Sequence, residues 1–184
     1  MTQTARIRLE NERDRVFGAL ESAARMVGQR DAYILENDLR EEVIIHRLAR
    51  YLEDILLSDT VLDLQNFSVD CIYNGGTGYK REQLQIEWPT GSQAQLRKRD
   101  QHARPDITVH QRGSDWLCFN LLMVEVRKSS TISHNAQRFA FSKCRAYRET
   151  GLNYMFAGYV CFKTGHSLQN HAEPWTEIRK FPNK

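Results

Sequence analysis

The chain has 184 residues, of which 41% are hydrophobic and 27% charged, and its net charge is +3. That size and mix suit one domain with an ordinary core, and they exclude a disordered polyelectrolyte, a collagen-like repeat and a disulfide-dense miniprotein. No apolar run approaches the roughly 20 residues of a membrane span, so no membrane partner is expected, while the mildly basic balance is compatible with nucleic acid.

The opening residues, Met1 to Arg15, are polar and charged, unlike a secretory leader. Cys71, Cys118, Cys144 and Cys161 are scattered without metal-ligand spacing. They read as reduced thiols of a cytoplasmic protein. Residues 4–28 are predicted to be helical. Ile7, Val16, Phe17, Leu20, Ala24 and Val27 recur at three and four spacings, and Gly28 follows as a C-cap. This segment belongs to an N-terminal helical extension over 1–36. An appendage, a homodimer contact and a lid all remain open for it.

The main domain is expected over 37–184. Asp38 and Glu41 have capping-box spacing at the head of a second helix. Its apolar stripe runs through Ile44, Ile45, Leu48, Leu52 and Ile55, and at ~100° per residue Glu41 heads that stripe while His46 lies on the wet side. Phe67 to Tyr73 reads as a strand, Asn74 to Gly78 as a turn, and Leu84 to Trp88 as a returning strand. Leu96 to Arg104 is polar and basic and reads as a mobile loop. Its Arg97, Lys98, Arg99 and Arg104, with Lys80 and Arg81 nearby, form a cluster that could track a nucleic-acid backbone or simply be solvated.

Two short apolar strands follow, Arg104 to His110 and Leu121 to Lys128, joined through a turn over 111–115. Each carries an acid where a buried strand should have none: Asp106 after Pro105, and Glu125 between Val124 and Val126. An unpaired carboxylate there costs several kcal/mol, and a divalent cation is the most direct compensation. Alternation puts Glu125 and Arg127 on one face and Lys128 on the other. An antiparallel pair would let Asp106 and Glu125 converge, and two carboxylates with a carbonyl suit Mg²⁺. Ala136 to Glu149 is predicted to be a helix with Phe139, Ala140, Lys143, Cys144 and Tyr147 at helical spacing. Tyr154 to Phe162 is an apolar run of the kind buried on both faces. A helix between two such strands implies a right-handed crossover and a parallel pair. Glu173 to Phe181 suits an edge strand.

Pro105-Asp106 followed by Glu125-Val126-Arg127 resembles the motif of the PD-(D/E)XK nuclease superfamily, with Arg127 where the family usually has lysine. The segments around His46-Arg47-Leu48-Ala49, Val69 to Asn74, Arg104 to Gly113, Asn120 to Lys128 and Lys143 to Tyr147 resemble small stand-alone members, over roughly residues 37–162. The resemblance implies an α/β fold with a restriction-endonuclease-like core: a central mixed β-sheet flanked by helices, here with the extra N-terminal helix. It implies a nuclease hydrolysing phosphodiester bonds of nucleic acid, DNA in particular. Asp106, Glu125 and Arg127 would be catalytic. Asp106, Glu125, the Val126 carbonyl and Glu41 would hold Mg²⁺ or Mn²⁺. Arg97, Lys98, Arg99, Arg104 and Lys128 would contact the nucleic acid.

Other readings stand beside these. A capping box alone explains Glu41, and an edge strand or turn explains Asp70. His46 and His110 could be ligands or phosphate contacts, and a solvated place on the wet face also explains His46. Arginine keeps its proton at any useful pH, so Arg127 cannot be a general base. Lys143 could donate instead, and Lys128 only if a bulge turned it inward. The alternative function is a relative that binds nucleic acid or a partner protein without cleavage.

Overall fold

A computed structural model describes residues 12–71, 104–111, 120–149, 154–168 and 173–181, together with strand backbone over 83–90 and 95–102. In chain order the elements are helices α1 (Arg13–Arg30), α2 (Ala32–Glu36) and α3 (Glu41–Ser58), then strands β1 (Ser68–Cys71), β2 (Gln83–Thr90), β3 (Gln95–His102), β4 (Ile107–His110) and β5 (Asn120–Lys128). Helix α4 (His134–Glu149), strand β6 (Phe156–Phe162), a 3₁₀ turn at Gly165–Leu168 and strand β7 (Trp175–Phe181) complete it.

The fold is α/β around a five-stranded mixed sheet in the order β1-β4-β5-β6-β7. β4 pairs antiparallel with β5, and β5 pairs parallel with β6, as the helix between two apolar strands implies. β7 lies at the sheet edge, where its half-exposed residues belong. β6 is buried along its whole length. Alternation divides the core in two. Leu122, Val124 and Val126 join a cluster with Val16, Phe17 and Leu20 of α1 and Ile44, Leu48 and Leu52 of α3. Met123 packs on the opposite face with Ala140, Cys144 and Tyr147 of α4. The apolar stripe of α1 is thus spent inside its own chain. Buried Asp31, just after α1, fixes α3 by accepting hydrogen bonds from Arg47 Nε at 2.8 Å and the Tyr51 hydroxyl at 2.7 Å.

Three local expectations are corrected. Helix α1 does not stop at Gly28 but runs on to Arg30. Gly28 is needed for packing: a Cβ there would lie 2.6 Å from Cβ and 2.7 Å from Cγ of Pro174. Gly28→Ala is therefore expected to destabilise by about 1–3 kcal/mol, as overpacking does, and urea unfolding at neutral pH reads the difference. Asp38 is not the N-cap of α3; Arg40 is, without a side-chain cap. Asp38 sits at φ +49°, and its carboxylate instead takes the Lys128 ammonium at 2.9 Å and the Ser130 hydroxyl at 2.7 Å.

The basic stretch expected as a loop is a strand. β3 pairs antiparallel with β2 in a separate hairpin, with Glu87 opposite Lys98 and Trp88 opposite Arg97. Pairing satisfies a backbone whose own residues have little strand preference. Lys128 agrees with the expected alternation: it follows a regular register to Phe162, with no bulge to turn it inward.

The turn at 74–78, most of that at 111–115, Lys80, Arg81 and Cys118 lie outside the described residues, as do the side chains of Arg97, Lys98 and Arg99. Cys71, Cys144 and Cys161 carry free thiols. Among the described residues no helix is long and apolar enough to cross a membrane.

Candidate active site

The β4/β5 register sets the first two acids side by side. Ile107 lies opposite Val124, so one step further out Asp106 meets the Glu125–Val126 peptide. Asp106 Oδ2 accepts the Val126 N–H at 2.8 Å. This bond fixes the carboxylate at the mouth of β4, where buried Pro105 ends the strand.

Glu125 is 0% exposed in the middle of β5. Two cations reach it. Lys143 Nζ from α4 lies 2.5 Å from Oε1, and Arg127 Nη2 lies 3.3 Å from Oε2. Lys143 also donates to the Arg104 carbonyl at 3.0 Å, so one ammonium ties α4 both to the Pro-Asp segment and to β5. Burial, then the charge of Asp106, push the Glu125 carboxyl up to about 7, against the downward pull of Lys143 and Arg127.

Arg127 is the hub. It shares the Glu125 face of β5, and its side chain is 19% exposed. Nη1 lies 3.1 Å from Glu41 Oε1, 3.2 Å from Asp106 Oδ2 and 2.5 Å from its neighbour's Val126 carbonyl oxygen. Burial pulls the guanidinium down, but Glu125, Asp106 and Glu41 together outweigh it and hold it above its ordinary value. Glu41 reaches the hub because α3 begins at that residue, with its first turn beside the end of β5. Burial raises the Glu41 carboxyl more than Arg127 lowers it.

The four oxygen donors nominated from sequence, on Asp106, Glu125, Glu41 and Val126, therefore all converge on one positive group. Three carboxylates and a carbonyl are hard donors that suit Mg²⁺ or Mn²⁺ in kind. As they stand they enclose a guanidinium: among the described residues no three Asp, Glu, His or Cys side chains are placed to hold a metal ion.

The remaining nominees fall elsewhere. Lys128 is 7% exposed, with its ammonium on the Asp38 carboxylate and on the Asp38 and Leu39 carbonyls at 3.2 and 3.0 Å. It anchors the start of α3 rather than facing solvent. Arg104 is exposed at the entrance to β4, and His46 is exposed on α3. Asp70 stays out of the hub and meets His110 Nε2 at 2.8 Å across β1 and β4. Lys143 has a larger place than its sequence position suggested. The available signal was a lysine on a helical stripe of otherwise buried residues, where an ammonium survives only with a partner.

No protein-family model, no curated protein and no solved structure matches the chain.

Proposed function

We propose that this chain is a metal-dependent nuclease that hydrolyses phosphodiester bonds of nucleic acid, with DNA as its first substrate, built on a restriction-endonuclease-like core. The observation that carries this reading is the gathering of Asp106, Glu125, Glu41 and the Val126 carbonyl around one cation. These residues would hold Mg²⁺ or Mn²⁺, which when bound supplies an activated water and screens the phosphate oxygens. Lys143, an ammonium with three donors standing beside Glu125, takes the water-orienting role that the usual motif lysine has. Arg127 has a permanent forked charge suited to a phosphate oxygen and to charge that develops in the transition state. Arg104, exposed at the rim, would meet the nucleic-acid backbone, together with the basic stretch of β3.

The test is cleavage of single- and double-stranded DNA and RNA with Mg²⁺ or Mn²⁺. Native protein is expected to cut and EDTA to stop it. Asp106→Ala and Glu125→Ala should each lose at least about a hundredfold in rate, the scale on which single charge-stabilising groups act. Cleavage at native rate by both variants refutes the reading.

One observation favours a second reading, a non-cleaving binder: Arg127 already engages all four donors with a charge it cannot lose. That protein would bind nucleic acid or a partner without cutting, and Arg127→Lys would be the variant to restore cleavage.

A further inference from the structure

Arg127 Nη1 carries two protons but faces three acceptors, the oxygens of Glu41, Asp106 and Val126, at 3.1, 3.2 and 2.5 Å. A planar N–H₂ group directs its two protons along fixed lines. Three oxygens from three separate stretches of the chain around one nitrogen are more than its two protons can satisfy directionally, while Glu125 is served separately by Nη2. A spherical ion has no such limit. The guanidinium also lies within 3.3 Å of each carboxylate, so a dication among the same oxygens would meet a like charge at close range. The two cannot share the position.

We infer that Arg127 is an exchangeable internal counter-ion: its guanidinium holds the acid cluster together in the metal-free protein, and divalent-ion binding expels it toward solvent, where it is free to take a phosphate oxygen. Its 19% exposure gives a short way out, whereas Lys143 is held from behind by the Arg104 carbonyl and stays. Metal entry and the presentation of a phosphate-binding arginine become one event. This rests on the nuclease reading for its purpose, but its test does not use cleavage.

Mn²⁺ binding is measured by electron paramagnetic resonance on full-length native protein, Arg127→Gln and Arg127→Gln/Asp106→Asn. Removal of the competing charge is expected to tighten Mn²⁺ binding by at least about tenfold, and the double variant should lose the gain. In the native protein, the Arg127 guanidinium N–H signals in nitrogen-edited NMR should lose their ion-paired shifts on Mg²⁺ saturation; this arm needs no variant to fold. Unchanged or weaker Mn²⁺ binding by folded Arg127→Gln overturns the inference, as do native guanidinium signals that ignore Mg²⁺. Cleavage by native protein with either of those results leaves the nuclease reading standing alone. Tighter Mn²⁺ binding without any cleavage supports the exchange and removes the nuclease.

Discussion

Replacing Lys143 with methionine is expected to destabilise the fold by about 3 kcal/mol at pH 8 and only about 1 kcal/mol at pH 5. Methionine replaces the aliphatic stem, which ends one atom short of the ammonium, and keeps its packing within α4's buried stripe, so the loss is mainly electrostatic. It removes the ammonium from Glu125 Oε1 and from the Arg104 carbonyl. At pH 8 a fully buried carboxylate is left with Arg127 alone, and half a buried ion pair costs more than none. At pH 5 the Glu125 carboxyl, already pushed up to about 7 and released from the lowering pull of Lys143, carries a proton, and only the hydrogen bond to Arg104 is missed. The thermal midpoint should fall by about 6–12 °C at pH 8 for a chain of this size. Adding Glu125→Gln to Lys143→Met should recover part of the pH 8 loss, because no unpaired acid then remains there. An equal cost at both pH values would show that Lys143 serves packing and not charge.

The second large effect is the chain's own pH dependence. Glu125 titrates at about 7 in the fold against an ordinary value of 4.5. Between those values the folded chain keeps a proton that the unfolded chain has released, so the protonated carboxyl favours folding. That contribution is complete below 4.5 and is lost as pH rises through 7. At about 1.4 kcal/mol per pH unit the swing is on the order of 3 kcal/mol. Glu41, also raised by burial, adds in the same direction. Unfolding free energies of native protein and Glu125→Gln, taken at pH 5, 6, 7 and 8, isolate the Glu125 share. Native stability should fall across that range relative to the variant and then level off. Parallel curves would mean that Glu125 is ionised throughout and fully compensated by its two cations.

Much of the scaffold was legible in the residues. Apolar runs with a helix between them specify the parallel β5/β6 pair, because a buried crossover has one favoured solution. Alternation alone separated Glu125 and Arg127 from Lys128. Legibility failed where a tertiary contact overrode a local rule. Gly28 looks like a helix terminus, yet Pro174, far away in sequence, needs its missing Cβ. Asp38 has the spacing of a cap, yet the Lys128 ammonium draws its carboxylate away. The basic stretch in β3 has weak strand character of its own and takes its form from β2. In the site, the acids announced themselves as charges in apolar strands. Alternation made a pair between Glu125 and Arg127 readable, but no one-dimensional pattern could show that Arg127 would also hold Asp106 and Glu41, since Glu41 reaches it across 86 positions.

That distance has a consequence for how the protein is made. The ties that complete the cluster join residues 86, 39 and 21 positions apart, and each closes a long chain segment before it returns any energy. A nascent chain made only as far as Arg104 contains Glu41 but neither strand acid nor either cation. The cluster therefore cannot close until the chain has been made through Lys143.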